Sequence, residues 1–253
     1  MKQLVLLFFV LFIGSTNAEL RTWTISTGQK VEATYIAVIG NKVILRGKNK
    51  KKFRIPFTQL SKHDCEYIEL LNPPKLKLDL SKTTKQRVFP QNMHEDEPPK
   101  AQYMTFYIKI KQMSPKIYNH KMTVEYFAFG KEINGNKKVF LGHEICSFKL
   151  QGCGSTFSHQ GITYELPKYH LKVKNAKLAK DEEWLPFRGV RYNGYLLIVK
   201  DENGKRISYK ATSKIYLSYI DKLRKLHAGC FFNPKTGERT TPTRPPHFPV
   251  MYQ

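Results

Sequence analysis

The sequence predicts a mainly β protein with two folded parts: a small barrel that carries one short helix, and a larger β-sandwich with a C-terminal helix. Alternating apolar and polar residues recur in short stretches along most of the 253 residues, as they do in half-buried strands. Turn residues, among them Gly40-Asn41 and the stretch from Asp201 to Gly204, separate these stretches. Apolar residues at helical spacing follow Ser61 and Ser213.

The first eighteen residues have the pattern of a secretory signal peptide. Lys2 precedes an apolar run from Leu4 to Ile13, which is too short to span a bilayer, and small residues lead to a cleavage site between Ala18 and Glu19. The alternative is a buried N-terminal strand. The pattern predicts that residues 1–18 are removed, that no transmembrane segment follows, and that the mature chain is secreted or periplasmic.

The composition indicates a soluble protein with a large excess of positive charge. Hydrophobic residues make up 41% of the chain, which is enough for real cores, and the formal net charge is +23. Such a charge implies attraction to polyanions and says nothing about fold. The basic residues are spread along the chain, with one dense run from Lys48 to Lys52, whereas a nucleic-acid groove concentrates them on one face. Together with export, this spread predicts that nucleic acid is not a partner, whereas an acidic polysaccharide or anionic surface remains an alternative ligand.

Residues 19–72 are predicted to form the small barrel from four or five short strands and one helix. Pro56 ends the last of these strands because proline cannot donate to the hydrogen-bond ladder. Ser61 is a good N-cap, and Asp64 lies three residues later, where the acid of a capping box lies. The predicted strands lie around Trp23, over Val31 to Val38, over Val43 to Arg46 and over Lys52 to Pro56.

The order of these residues resembles the SLA-one homology domain of type one over about residues 20–71. The matching pieces are Arg-x-Trp-Thr at Arg21 to Thr24, x-Val-Glu-Ala at Lys30 to Ala33, Gly-x-Lys-Val at Gly40 to Val43, a strand ending at Pro56, Leu-Ser-x-x-Asp at Leu60 to Asp64, and Tyr67-Ile68. The resemblance implies a Src-homology-3-like barrel and a protein or peptide ligand. Fungal endocytic adaptors of this family bind Asn-Pro-Phe-x-Asp peptides and have cytoskeletal or cargo-adaptor roles. Single copies occur in secreted bacterial proteins, which fits the signal peptide here.

Four residues of the barrel are candidates for ligand binding: Trp23, Tyr35, Lys42 and Arg46. An aromatic surface beside cations suits a peptide that bears an aromatic residue and a carboxylate. The alternative is that Trp23 and Tyr35 belong to the core. The sequence therefore predicts an exported adaptor-like binding protein, with its ligand left open.

The rest of the chain divides into a linker, a second domain and a tail. Residues 73–100 are rich in proline and charge and are predicted to be a linker, although the alternation of leucines from Leu76 to Leu80 also suits an edge strand. Residues 101–229 contain about seven or eight short strands at steady spacing, which predicts an immunoglobulin-like β-sandwich. Its final helix is predicted to begin at Ser213, to bury Ile215 and Tyr219 on one stripe, and to end at Gly229. Residues 230–253 are predicted to be an extended proline-rich tail.

The sequence predicts no enzyme, no cofactor and no metal site. Cys146, Cys153 and His159 match no standard zinc spacing, and no second histidine follows His143 at the distance that a helical zinc motif needs. Phosphate-binding and dinucleotide-binding motifs are missing from the sequence. Cys146 and Cys153 flank a glycine-rich bend and could pair as a disulfide, although a chain of this size does not need one; the alternative is four free thiols.

Overall fold

The computed structural model describes residues 19–86, 100–115, 118–133, 135–170 and 187–243. The predicted signal peptide lies outside these residues, as does the end of the tail. The chain divides into two compact units, of which the first ends at Asn72 and the second begins at Pro73. Among the helices described, none is long and apolar enough to cross a membrane.

The first unit is a curled antiparallel sheet of four strands packed on one helix. Its strands are β1 (Leu20–Thr24), β2 (Lys30–Ile39), β3 (Lys42–Gly47) and β4 (Lys52–Pro56), in that order across the sheet. A 3-10 turn, Phe57–Gln59, leads to helix α1 (Lys62–Leu71). A bulge between Tyr35 and Ala37 bends β2, and a bridge from Ile25 to Leu60 connects the end of β1 with the entry to α1. The sheet therefore forms a half-barrel that the helix covers, which confirms the predicted class.

The core of the first unit lies between the concave face of the sheet and α1. Gly40 has a φ of +60° in the tight turn between β2 and β3, a conformation that favours glycine. Ser61 caps α1 as predicted, because its Oγ accepts a hydrogen bond of 3.2 Å from the backbone N–H of Asp64. The buried apolar side chains are Trp23, Ala33, Val43, Leu45, Ile55, Leu60 and Ile68.

The described residues of the second unit contain nine antiparallel strands. They are β5 (Leu76–Gln86), β6 (Lys100–Gln112), β7 (Met122–Glu132), β8 (Lys138–Phe148), β9 (Thr156–His170), β10 (Phe187–Lys200), β11 (Arg206–Ala211), β12 (Phe231–Phe232) and β13 (Arg239–Thr240). The order is β13-β12-β8-β7-β10-β9-β6-β5, with β11 paired to β10. The long strand β10 pairs with β9 through its first residues and with β7 and β11 further on, so it passes from one layer to the other.

Two apolar clusters hold the second unit together. The larger one fills the space between the layers, with Phe106 and Ile108 of β6 facing Val124 and Tyr126 of β7. The second cluster lies on the opposite face of β7 and β8, where the segment after β11 covers Phe127, Phe129 and Phe140. The unit is therefore a two-layer β-sandwich with a helical segment packed on one layer, as the predicted fold class requires.

Two segments predicted to be extended are part of the sheets. The predicted linker contains β5, the edge strand next to β6, and Leu78 on this strand is buried in the larger cluster. The predicted tail contains β12 and β13, and Phe232 of β12 has no exposed surface. The edge-strand alternative for Leu76 to Leu80 therefore holds, and the linker and tail predictions were wrong for these residues. Alternating leucines and paired phenylalanines are stabilised by burial against strands distant in sequence.

The C-terminal helix is shorter and more tightly wound than predicted. It consists of a 3-10 helix, Lys214–Tyr219, followed by a single α-helical turn, α2 (Ile220–Leu223), and the side chain of Ser213 makes no cap hydrogen bond. A 3-10 helix has three residues per turn, so Tyr216 and Tyr219 share the buried face. Ile215, which the α-helical spacing predicted to be buried, is 40% exposed.

A buried cluster of charges joins this helical segment to the sheet beneath it. Glu125 of β7 is 1% exposed, and its carboxylate accepts hydrogen bonds of 2.8 and 2.7 Å from the guanidinium of Arg224, just after α2. His143 Nε2 lies 3.0 Å from the same carboxylate, and the ammonium of Lys200 also donates to it. The cluster satisfies Glu125 with three partners, as a buried carboxylate requires.

Candidate functional site

Four cations project from the convex face of the first unit, away from its core. Lys42 and Arg46 lie on β3, and Lys52 and Arg54 lie on β4; we call these four residues the basic face. Alternate residues of a strand share a face, and the register places Arg46 opposite Lys52 and Ile44 opposite Arg54. All four cations are exposed.

The basic face holds unbalanced positive charge. Like charges directly opposite each other on neighbouring strands destabilise a sheet, and Arg46 and Lys52 are such a pair. Within the described residues, none of the four cations forms an ion pair. Glu32 of β2 pairs instead with Lys48 in the turn after β3. An anionic ligand on this face would therefore relieve repulsion that the fold leaves in place.

Apolar residues lie among these cations. Ile44 projects from the same face between Lys42 and Arg46, yet it is only 8% exposed. Ile39, opposite Lys42 at the end of β2, is 63% exposed and is among the most exposed large apolar side chains described. The face thus offers cations and an accessible apolar side chain side by side. This chemistry suits a peptide that combines a carboxylate with an apolar or aromatic residue.

The structure separates the four predicted ligand-binding residues into two pairs. Lys42 and Arg46 belong to the basic face, whereas Trp23 and Tyr35 point toward the core. Trp23 has no exposed surface, and its indole N–H donates a 2.8 Å hydrogen bond to the carbonyl of Ala33. The predicted surface role of Trp23 was therefore wrong, and its core alternative holds, because strand alternation sends it inward.

Tyr35 is half-buried and helps to end the helix of the first unit. Its hydroxyl donates a 2.9 Å hydrogen bond to Oδ1 of Asn72, the C-cap residue of α1. Burial raises the pKa of Tyr35, and the hydrogen bond with Asn72 offsets part of that rise. Binding by Lys42, Arg46 and Tyr35 stays a prediction.

The sequence pieces that carry the family resemblance form a structural clasp between β1 and α1. Asp64 is 2% exposed, and its carboxylate accepts hydrogen bonds from Arg21 Nη2 at 3.1 Å, the backbone N–H of Thr24 at 2.8 Å and Ser61 Oγ at 2.8 Å. The Arg21 guanidinium also lies 3.9 Å from the centre of the Tyr67 ring. The Arg-x-Trp-Thr and Leu-Ser-x-x-Asp pieces therefore stabilise the fold.

Sequence reasoning missed Lys52 and Arg54 as members of the site. The signal was present, because Phe53 and Ile55 share one face of β4 and Lys52 and Arg54 must therefore share the other. In the sequence, Lys52 stands out only as the last residue of the dense basic run that begins at Lys48. Only the register with β3 shows that it lies opposite Arg46.

A second group of reactive residues lies in the second unit, where β8 and β9 approach each other. Cys146 Sγ lies 3.2 Å from His159 Nε2, and Glu144 Oε2 lies 3.3 Å from the same nitrogen. In a nucleophile–base–acid relay the histidine contacts the nucleophile with one ring nitrogen and the acid with the other. Here both Cys146 and Glu144 contact Nε2, so the three side chains do not form such a relay. Burial, followed by the charge of Glu144, raises the pKa of the Cys146 thiol, which disfavours the reactive thiolate.

All four cysteines are free in the structure. Cys146 Sγ contacts His159, whereas Cys153 is exposed and its Sγ lies 3.9 Å from the carbonyl oxygen of Met113. The candidate Cys146–Cys153 bridge is therefore not formed and the alternative of four free thiols holds, because the two side chains have different neighbours. Over the part of the chain that the structure describes, no group of three or more His, Cys, Asp or Glu side chains is arranged to hold a metal ion.

Comparison with known proteins supports a family assignment for the first unit. The family model of SLA1 homology domain 1 (SHD1) matches residues 15–76. A search of curated proteins finds no match. A crystal structure from Akkermansia muciniphila is similar at 15% sequence identity over 56% of this chain and 71% of that chain, with a TM-score of 0.28, and we draw nothing from a likeness at that level. The match of residues 15–76 thus confirms the predicted resemblance of the first unit to SLA1 homology domain 1.

Proposed function

We propose that this chain is an exported, non-enzymatic binding protein whose first unit recognises a peptide segment of another protein. The family of the first unit suggests protein binding. The observation that carries the proposal is the basic face, on which four exposed cations surround Ile44 and adjoin the exposed Ile39. The ligand that these residues favour is a peptide with a carboxylate and an apolar or aromatic side chain. Export rests on the signal peptide pattern of residues 1–18.

Carboxylate recognition by this face has a clear physical source. Charge-assisted hydrogen bonds to a carboxylate contribute about 1.5–3 kcal/mol each when they are partly shielded from water. The apolar stems of lysine and arginine and the side chain of Ile39 provide that shielding. The absence of ion pairs within the described part of the face means that binding breaks no existing pair.

The test is fluorescence anisotropy of labelled peptides with the mature chain, residues 19–253. Peptides containing Asn-Pro-Phe-x-Asp, the sequence that the family resemblance implies, are the first probe, beside the same peptides with Asn in place of Asp. We expect the Asp peptides to bind more tightly. We also expect the double substitution Lys42→Ala with Arg46→Ala to weaken binding at least tenfold, which corresponds to about 1.4 kcal/mol.

A matched control separates a local site from general charge attraction. The double substitution Lys50→Ala with Lys51→Ala removes the same charge from the exposed hairpin tip and leaves the basic face intact. We expect it to change peptide affinity less than twofold. Equal losses in the two double variants, or equal binding of the Asp and Asn peptides, would show that the basic face is not a peptide site.

Polyanion binding is the second candidate function, because the net charge is +23. Residues 19–72 contribute +5 of this charge, because they contain ten Lys and Arg and five Asp and Glu; most of the rest lies in the second unit. If polyanion binding is the function, the mature chain elutes from heparin only at high salt, with a steep salt dependence. Elution at low salt would remove this candidate.

A further inference from the structure

The layer formed by β5, β6 and β9 has an outer face that no described helix or strand covers. The inward side chains of this layer, among them Leu78, Phe106 and Ile108, belong to the larger apolar cluster. Alternation along each strand directs the side chains between them outward, and most of these are exposed. On the opposite side of the unit, the helical segment after β11 covers the other layer. We call the outward side of β5, β6 and β9 the polar face.

The register aligns the outward residues of the polar face in five rows. Residues 77, 79, 81, 83 and 85 of β5 lie opposite residues 111, 109, 107, 105 and 103 of β6. These in turn lie opposite residues 156, 158, 160, 163 and 165 of β9. The rows contain hydroxyl, amide and charged side chains and two tyrosines, but no aliphatic residue. Sites that bind peptides rely on apolar pockets, so this composition favours a ligand rich in hydroxyl groups.

One end of the polar face carries unbalanced positive charge. Lys77 and Lys111 lie directly opposite each other, and Lys109 is the next outward residue of β6. Like charges in such cross-strand pairs destabilise a sheet. Asp79 is the one acid in these two rows, and its carboxylate lies 3.6 Å from the ammonium of Lys77 and 3.4 Å from that of Lys210. Among the described residues, neither Lys109 nor Lys111 forms an ion pair, so a bound anion would relieve repulsion there.

A tyrosine ring lies beside these cations. Tyr107 is the outward residue that precedes Lys109 on β6, about 7 Å away along the strand. Its side chain is half-buried, so part of its surface is accessible from outside the face. A tyrosine combines an apolar ring with a polar hydroxyl, which matches the C–H groups and hydroxyls of a sugar ring. Ser81 and Gln160 flank Tyr107 in the same row and add groups that donate and accept hydrogen bonds.

Other polyanions use fewer of these features. An acidic polypeptide offers carboxylates to the lysines, but it has no sugar ring to place on Tyr107. Proteins that lie on an anionic membrane surface strengthen their attachment by burying apolar side chains in it, and the polar face has no aliphatic residue to bury. A polysaccharide with acidic groups uses the cations, the aromatic ring and the hydroxyl and amide side chains together.

We propose that the polar face binds an acidic polysaccharide. Carboxylate or sulfate groups of the polysaccharide contact Lys77, Lys109 and Lys111, and a neighbouring sugar ring lies on Tyr107. Charge-assisted hydrogen bonds supply most of the affinity, and the tyrosine ring selects sugars over other polyanions. This proposal rests on polyanion binding, the second candidate function, and assigns that binding to a site in the second unit. It does not depend on the basic face of the first unit.

The probes are labelled oligosaccharides of alginate, which carries carboxylates, and of heparin, which also carries sulfates. Their binding to the mature chain is measured by fluorescence anisotropy, with polyglutamate of matched charge and neutral dextran as comparison ligands. We expect at least one acidic oligosaccharide to bind more than about fivefold more tightly than polyglutamate, and dextran to show no binding. Equal affinity for polyglutamate, or binding only to vesicles that contain anionic lipids, would overturn the proposal.

Lys109→Gln with Lys111→Gln and Lys214→Gln with Lys225→Gln form a matched pair of double variants. Each removes two exposed charges from the second unit, but Lys214 and Lys225 belong to the helical segment on the other layer and the turn that follows it. We expect the first double variant to weaken oligosaccharide binding by about tenfold, and the second by less than about twofold. Equal effects of the two would overturn the proposal.

Tyr107→Phe and Tyr107→Ala separate the contribution of the ring from that of the charges. Phenylalanine keeps the ring, so we expect Tyr107→Phe to change oligosaccharide affinity by less than about twofold. Tyr107→Ala should weaken it by about fivefold and leave polyglutamate binding unchanged. The urea transition of the second unit shows whether each variant remains folded. Unchanged oligosaccharide affinity in a folded Tyr107→Ala chain would refute the role of the ring and with it the proposal.

Heparin chromatography distinguishes failure of this site from failure of polyanion binding as a whole. Elution of the unsubstituted mature chain at low salt would remove polyanion binding and the polar-face site together. Elution at high salt that is the same for the unsubstituted chain and for Lys109→Gln with Lys111→Gln would keep polyanion binding but remove this site. We expect the unsubstituted chain to elute at high salt and the double variant to elute clearly earlier.

Discussion

Replacing Glu125 with glutamine tests whether the buried charge cluster stabilises the second unit. Glutamine keeps the shape of the side chain but removes the charge that Arg224, His143 and Lys200 share. Removing one partner from a fully buried pair costs about 3–5 kcal/mol. The side chains of Arg224 and Lys200 are 33% and 23% exposed, so water recovers part of that cost. We therefore expect a loss of about 3 kcal/mol.

The assay is urea denaturation followed by circular dichroism, with the first unit as an internal reference. With a slope of about 2 kcal/mol per molar urea, a loss of about 3 kcal/mol lowers the midpoint of the second unit by about 1.5 M. The transition of the first unit should not move. Asp221→Asn is the control, because Asp221 also bonds to Arg224 but is 84% exposed, and such surface pairs contribute about 0–1 kcal/mol.

The same cluster predicts the sign of a pH dependence. Burial by itself raises the pKa of Glu125, but hydrogen bonds from Arg224, His143 and Lys200 outweigh it and hold the pKa far below its usual value. A carboxylate with a lowered folded-state pKa stabilises the fold above its unfolded pKa of about 4.3 and loses that contribution as the pH falls below it. This group should therefore remove up to about 1.4 kcal/mol of stability per pH unit below pH 4, and Glu125→Gln should not show that loss. Equal acid sensitivity of the two proteins would refute the reasoning.

Three further outcomes follow from the contacts described above. Asp64→Asn should lower the free energy of unfolding of the first unit by about 2–3 kcal/mol in urea, since it leaves Arg21 without its buried partner. The control Glu19→Gln, at an exposed position, should change that free energy by less than about 0.5 kcal/mol. Equal effects of the two variants would contradict the clasp. Tyr35→Phe should lower the stability of the first unit by about 1 kcal/mol near neutral pH, because it removes the hydrogen bond to Asn72. Above about pH 10 the wild-type chain should lose stability as Tyr35 ionises on unfolding, because burial opposes its ionisation in the fold, and the variant should not show this loss. A pH titration of the circular dichroism signal checks both signs. Iodoacetamide should label the exposed Cys153 before Cys146, as read by mass spectrometry, and a denatured sample should show four reactive thiols; a mass loss of two hydrogens would indicate a bridge.

Local signals were enough for part of the fold. The cap at Ser61, the turn at Gly40 and the end of β4 at Pro56 each depend on the conformational preferences of one or two residues, and all three appear in the structure. Signals that depend on a distant partner were weaker. The alternation of leucines before Leu80 fitted a tether or an edge strand equally well, because alternation does not identify the neighbouring strand.

The candidate site was only partly accessible to sequence reasoning, for a related reason. Lys42 and Arg46 were recognised as exposed cations, but their companions on β4 became visible only through the register between β3 and β4. Trp23 was misassigned because an aromatic residue in a short strand suits either face until the position of the core is known. The second unit also has a groove of about 1080 Å³ whose walls come from β8, β9 and the turn after α2, and it had no sequence signal because these elements are distant in the chain.

The hydrogen bond between Tyr35 and Asn72 has a consequence for how this fold can be reused. The polypeptide enters the unit at Leu20, which pairs with Thr34, and leaves at Asn72, which bonds to Tyr35, so both ends are held by the same stretch of β2. A fold whose two ends meet can be placed before, after or within another protein without stretching either chain. Such portability is a physical reason why one small folding unit could be combined with different neighbouring domains.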